Sequence, residues 1–354
     1  MKRRLVFAIV VASVLIVLAV PAFYFKIAKA SSDSYLATVD GEGITKAEFM
    51  VFFKTQKDKL LSEKNILDEK AQSNFWKSKM DGIATEEVVK RNTLNKLKEL
   101  KIQLQKAKEH DLILDANDLQ NAKSEMDDTE ASLSASKNKD EIKQAFQKHY
   151  GVTSEQYENV YKEVLLAKKY INLVMSSMQI SDEEIQNYYA EHKDSIDRFT
   201  AREILIATVD PQTNEPLSGD KLTQASQKAL EIFSKAKNGD DLEKLAVQNS
   251  DEPAVSQSKG LYTFSIVDEN RTQMEDWVLK AKIGDMGIVN DQYGYVIIRL
   301  EKRTTFSDEK EDTKEIIREN KYEDMLHSWS QDPVKDVVIQ DQKIFDAISV
   351  SSVS

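Results

Sequence analysis

The chain has 354 residues and a formal net charge of −11, with 41% hydrophobic and 31% charged residues, few Gly and Pro, and no Cys. This length suits two or three domains, and the composition is that of a helix-rich globular body rather than a disordered chain. The acidic balance argues against nucleic acid, whose phosphates need a basic face. The missing cysteine excludes disulfides, thiolate metal ligands, a cysteine nucleophile and a lipid-modified cysteine.

Met1-Lys2-Arg3-Arg4 precede an apolar run from Leu5 to Phe25, broken only by Ser13 and Pro21. Wound as a helix, the run reaches roughly 30 Å, enough to cross a hydrocarbon core. The basic flank keeps the N-terminus in the cytoplasm, so everything after the run is exported. Ala28-Lys29-Ala30 has the small-x-small form of a cleavage site, but the run exceeds the ~7–15 apolar residues of a signal peptide. Residues 1–30 are therefore read as a signal anchor, with a cleaved signal as the alternative. The first gives a single-pass membrane protein with an extracytoplasmic body; cleavage after Ala30 gives a secreted one.

Residues 31–198 read as a helical domain. Tyr35 to Val39 is strand-like, Asp40-Gly41-Glu42-Gly43 is a turn, and Thr45-Lys46-Ala47-Glu48 has the form of a capping box opening a helix with Phe49, Phe52 and Phe53 on its apolar face. Helical periodicity recurs over Thr85–His110 and Ser154–Met178, while the polar stretch Met126–Lys139 reads as a solvated loop or frayed helix end. Phe75, Trp76, Met80, Met175 and Met178 fit either a bundle core or a groove for unfolded chains. The wording from Thr38 to Phe49 resembles the start of the N-terminal domain of SurA-type and PrsA-type chaperones. Ser181-Asp182-Glu183-Glu184-Ile185, with Ser181 as N-cap, resembles the helix that precedes their isomerase domain.

Residues 199–303 hold an alternating strand at Glu203–Val209, an amphipathic helix at Lys221–Asn238 stopped by Gly239, and further helices near Asp241–Ala246 and Met274–Ala281. Ala201-Arg202-Glu203-Ile204-Leu205 and Gly294-Tyr295-Val296-Ile297-Ile298 stand where parvulin-type peptidyl-prolyl isomerases show Ala-x-His-Ile-Leu and Gly-Tyr-His-Ile-Ile. The block is similar to that family over about a hundred residues. The resemblance implies a βαααβαββ fold and rotation about prolyl bonds, and no metal-ligand cluster, phosphate-binding glycine loop or nucleophile elbow in the sequence points to a cofactor or metal. It maps the family's catalytic positions onto Glu203, Val296 and Glu252, and the proline-ring walls onto Met274, Tyr262, Phe264 and Ile288. Val296 can neither donate nor accept a hydrogen bond. Glu203 and Glu252, if they converge, repel each other or share a proton. The residues equally allow a core valine beside a surface-directed carboxylate.

Residues 304–354 contain a charged helix over Thr305–Trp329 and a strand-like run Val334–Ile339. In PrsA-type and SurA-type proteins this segment returns to the N-terminal lobe, so the expected architecture is α+β: a helical chaperone lobe completed from both ends of the chain, with the parvulin domain inserted. The expected function is an extracytoplasmic foldase and isomerase acting on newly exported or unfolded polypeptides and their proline-containing segments. A non-catalytic holdase using the parvulin fold as a scaffold, and a structural envelope protein, are the alternatives.

Overall fold

The computed structural model describes residues 35–134, 138–210, 213, 215–266 and 271–354. The signal anchor read at residues 1–30 lies outside the described residues, among which no helix is long and apolar enough to cross a membrane. The chain forms two units, one made of the residues up to Leu166 together with Asp332–Ser354, the other of Ala167–Gln331.

The first unit begins with β1 (Ala37–Val39), which turns at Asp40 and Gly41 into β2 (Glu42–Ile44), antiparallel to it. The sequence reading ended its turn at Gly43, so β2 is an addition. Helix α1 (Lys46–Glu63) opens on the expected capping box: Thr45 Oγ1 accepts from Glu48 N–H at 3.2 Å, and Glu48 Oε2 accepts from Thr45 N–H at 2.7 Å. Then come α2 (Glu69–Trp76), the hairpin β3 (Lys79–Met80) and β4 (Ile83–Ala84), α3 (Thr85–Glu109), α4 (Ala116–Leu133) and α5 (Lys139–Tyr150). Helix α6 (Ser154–Ser177) starts in this unit and carries the chain into the second. The stretch Met126–Lys139 is a correction, because α4 continues through it to Leu133. An Asp115 capping box starts that helix, and Ala122 and Met126 give it a buried face. Phe49, Phe53, Leu97, Ile102 and Phe146 are the large side chains at the centre of this unit.

The second unit contains α7 (Asp182–Ile196), β5 (Arg198–Ala207), α8 (Gly219–Lys237), α9 (Leu242–Asn249), α10 (Val255–Ser258), β6 (Leu261–Ser265), α11 (Gln273–Lys280), β7 (Met286–Asn290), β8 (Gly294–Arg303) and α12 (Phe306–Ser330). From β5 to β8 the order is βαααβαββ, and the antiparallel sheet runs β6-β5-β8-β7. The central strands are apolar on both sides because both faces are covered. Ile204, Ile206 and Ile297 pack with Ala229 and Ile232 of α8 and Leu245 of α9. Val296, Ile298 and Leu300 cluster with Val278 of α11 on the other face.

The compact unit extends beyond the expected 199–303 domain on both sides, because α7 and α12 pack within it. Polar contacts explain why. Buried Asp197 accepts from the hydroxyl of Tyr189, from Lys193 Nζ at 2.5 Å and from Arg303 Nε at 2.7 Å. Arg198 donates to both carboxylate oxygens of Glu309 at 3.0 Å. Burial opposes the charge of Asp197, but these donors outweigh it and hold its carboxyl below the usual range.

After Gln331 the chain re-enters the first unit as β9 (Val337–Ile339) and α13 (Gln342–Ala347). β9 pairs antiparallel with β1 through Ala37–Ile339, Thr38–Val338 and Val39–Val337. Phe345 meets the Phe49 ring at 5.5 Å. Buried lysines satisfy the carbonyls of this terminal segment: Lys90 Nζ donates to Phe345 O at 3.1 Å, and Lys57 Nζ to Val350 O at 3.0 Å and Val353 O at 2.7 Å.

Candidate functional site

Strand parity sorts the candidate residues. Glu203 pairs with Ile298 and Leu205 with Val296. Alternation along a strand therefore puts Glu203, Leu205, Val296 and Ile298 on one face of the sheet. On that face Phe199, Phe264 and Tyr262 form a row of stacked rings with centroid separations of 6.0 and 5.6 Å, and Met274 of α11 packs against the same cluster. Tyr262 remains 52% exposed. Ile288 pairs with Ile297 and faces the other way, toward α8 and α9. It therefore stands apart from the wall on which the sequence reading placed it: a neighbour in sequence to Gly287 and Val289, it points to the opposite face.

The backbone of β5 sets the position of Glu203. Its N–H donates to Gly260 O at 2.8 Å, and a Cβ on Gly260 would fall 2.5 Å from Glu203 O, at a φ of +75°. Only glycine fits that close approach at that φ. Where β6 ends, Ser250 and Asp251 take over the edge of β5. Leu205 N–H donates to Ser250 Oγ at 3.1 Å, Asp251 N–H to Leu205 O at 2.8 Å, and Ala207 N–H to Asp251 Oδ2 at 2.9 Å. The next residue, Glu252, donates its N–H to Ser250 Oγ at 3.3 Å. This ladder brings a second carboxylate to Glu203. A third, Asp291, comes from the tight β7–β8 turn, where its N–H donates to Gly294 O at 2.8 Å.

Burial, then the charge of Glu252, then that of Asp291 push the Glu203 carboxyl up to about 7. At neutral pH Glu203 is thus divided between a carboxylate and an acid able to donate a hydrogen bond. Val296 has no such capacity. It is 3% exposed, within the apolar cluster of Val289, Ile298 and Val278. The structure thus brings Glu203, Met274, Phe264 and Tyr262 to one face of the sheet, with the charge of Glu252 acting on Glu203, and buries Val296 in the apolar cluster of that same face. Asp291 was missed in the sequence. Its signal was the turn Asp291-Gln292-Tyr293-Gly294 immediately before the strand of Val296, but only the folded chain shows that its charge acts on Glu203. Among the described residues no group of three or more His, Asp or Glu is placed to hold a metal ion.

Residues 187–304 match the family model described as the PPIC-type PPIase domain. Foldase protein PrsA of Caldanaerobacter subterraneus subsp. tengcongensis is 26% identical over 274 residues, which cover 77% of this chain and 75% of the relative. The chain is similar to PrsA-type foldases and carries a match to the PPIC-type PPIase domain. Foldase protein PrsA of Clostridium acetobutylicum is 24% identical over 317 residues, covering 85% of this chain and 87% of its own. A crystal structure of PrsA from Streptococcus pneumoniae superposes with a TM-score of 0.33 at 19% identity, over 76% of this chain and 97% of that one. The matched segment opens within α7 and closes just past β8, so the parvulin domain includes much of the helix that the sequence reading assigned to the preceding lobe.

Rotation about a prolyl bond breaks no covalent bond. A parvulin site has to hold the proline ring in an apolar pocket and favour the twisted amide over the planar one. Met274, Phe264 and Tyr262 place apolar and aromatic surface on the face of the sheet that carries Glu203. The polar groups beside that surface are carboxyls, and burial with the neighbouring charges raises that of Glu203 to about 7.

Proposed function

We propose that the protein is an extracytoplasmic foldase that holds newly exported polypeptides, its parvulin domain binding their proline-containing segments without efficient isomerisation. The apolar burial of Val296 is the observation that carries this reading. A site with a sealed valine at one family histidine position, and a carboxyl crowded by two others at the second, keeps the surface for a proline ring and loses the polar floor. Export follows from Lys2, Arg3 and Arg4 ahead of the apolar run, which serves as a single membrane anchor.

One observation favours a second reading, a slow isomerase. Glu203, with its carboxyl near 7, is a neutral donor in acid solution and could hydrogen-bond the prolyl substrate there. The two are separated by cis–trans exchange of a short Xaa-Pro peptide, followed by NMR with the full chain in detergent at pH 6 and pH 8. The binding reading expects resonances that shift on titration with an unchanged exchange rate at both pH values, together with suppressed aggregation of an unfolded client. Acceleration at pH 6 that fades at pH 8 and disappears in Glu203→Ala makes the protein an isomerase. Neither shifts nor suppression would leave a structural envelope protein.

A further inference from the structure

The second unit holds a cavity of about 810 Å³ on the side of β7 away from β8, within the size range of ligand pockets, ~300–1,000 Å³. Its lining mixes the two faces of the sheet: Met286, Ile288 and Tyr295 belong to the side of α8, Trp277 and Val289 to the side of α11. Residues from both faces line one space only if that space lies along the strand's open edge. β7 pairs on one side only, with β8, and its sequence Met-Gly-Ile-Val-Asn carries neither charge nor proline, the usual guards of an edge strand. The opposite edge strand, β6, has α7 packed against it. Trp277 adds a donor, because among the described residues its indole N–H meets no acceptor. The ring lies so close over β7 that a Cβ on Gly287 would fall 2.5 Å from Nε1. Gly287 thus gives the indole its place at the rim of the open edge.

We propose that the free edge of β7 receives an extended segment of a client polypeptide as an added strand, seated between α11 and the end of α8. An open row of backbone N–H and C=O groups is complemented by another main chain, with little regard to side chains. The indole N–H, which meets no acceptor among the described residues, offers that chain a further donor. Charge selects the occupant. Around the cavity Lys237 and Lys280 balance Asp276 and Asp285, so an incoming strand of either sign meets no net repulsion. A second copy of this chain would bring its net −11 against another −11. The proposal takes the class of its occupant from the foldase reading but is independent of the proline pocket, which involves Glu203 and Met274 rather than the β7 edge.

The test is amide hydrogen exchange of the full chain in detergent, followed residue by residue by NMR, with an acetylated, proline-free peptide of alternating valine and threonine. Binding as an added strand slows the outward-facing amides of β7 by about tenfold or more. The same peptide N-methylated at alternate residues gives no protection. Trp277→Phe, which keeps an apolar ring and removes the donor, weakens the peptide several-fold. Absent protection at β7, equal protection by the N-methylated peptide, or protection without peptide that rises with protein concentration each overturns the proposal; the last makes a second copy the occupant. A proline-bearing peptide that shifts Met274 and leaves β7 exchanging freely shows the proline pocket intact, so the two readings fail separately.

Discussion

Glu203 is a charge placed where its neighbours work against it. Its carboxyl rises from 4.5 in the unfolded chain to about 7 in the folded one. The stability linked to the group is therefore fully present below pH 4.5 and lost as pH rises through 7. Glu203→Gln removes the titration while keeping the shape. At pH 8 the variant is expected to exceed the parent in stability by on the order of 2 kcal/mol, with the difference closing by pH 5. Denaturant unfolding at the two pH values measures this, and an unchanged difference would place Glu203 in open solvent. Glu203 and Val296 were legible because they sit in strand motifs, and Glu252 because it follows closely on the helix Leu242–Asn249. The motifs could not show that Val296 is sealed, since a core valine and a pocket valine read alike. Ile288 was grouped with Met274 because a strand's inward side is fixed by register, which one sequence does not state.

Among the elements, α1, α3 and α6 are tied by a buried ion cluster. Lys101 of α3 pairs with Glu48 of α1 and, at 3.1 Å, with Glu163 of α6. Glu48 has two roles, since its Oε2 closes the capping box while its Oε1 meets the lysine. Burial and the charge of Glu48 push Glu163 up to about 8, against the pull of Lys101. Burial also opposes the charge of Glu48, but Lys101 and its hydrogen bonds outweigh it and keep that carboxyl low. One proton and one lysine thus neutralise two carboxylates. Lys101→Met leaves the carboxylates without their cation and is expected to cost about 3–5 kcal/mol in urea unfolding of the first unit. Stability linked to Glu163 is lost as pH rises through 8, so Glu163→Gln should flatten the alkaline side of the stability profile; an unaltered profile would show that Glu163 does not hold the proton. Helix positions were legible from apolar periodicity and capping boxes such as Thr45/Glu48. The cluster was not, because a Glu or Lys on a helix looks solvated until the helix facing it is known.

For the whole molecule, the sequence anticipated a lobe built from both ends of the chain with a parvulin domain between them, and β9 pairs with β1 in that way. It did not assign α7 and α12 to the compact unit of the sheet, because amphipathic helices could cover either body. Asp197, Arg198, Arg303 and Glu309, which bind them to the sheet, have no local signature. Truncation after Gln331 removes β9, α13 and the carbonyls held by Lys57 and Lys90. The first unit is then expected to lose its cooperative unfolding transition while the second keeps its own, as calorimetry or NMR of the two bodies would show. Loss of both transitions would mean that the second unit cannot stand without the first.

The β1–β9 pairing also dictates when the protein can finish folding. The two strands are separated by roughly 300 residues, and synthesis at ~5–20 residues per second puts about 15 to 60 s between their appearances. Throughout that interval one edge of β1 waits for its partner, while the second unit, complete within one continuous stretch, is free to fold. The chain thus spends its own first seconds with an exposed strand edge of the kind that other unfinished chains can pair with.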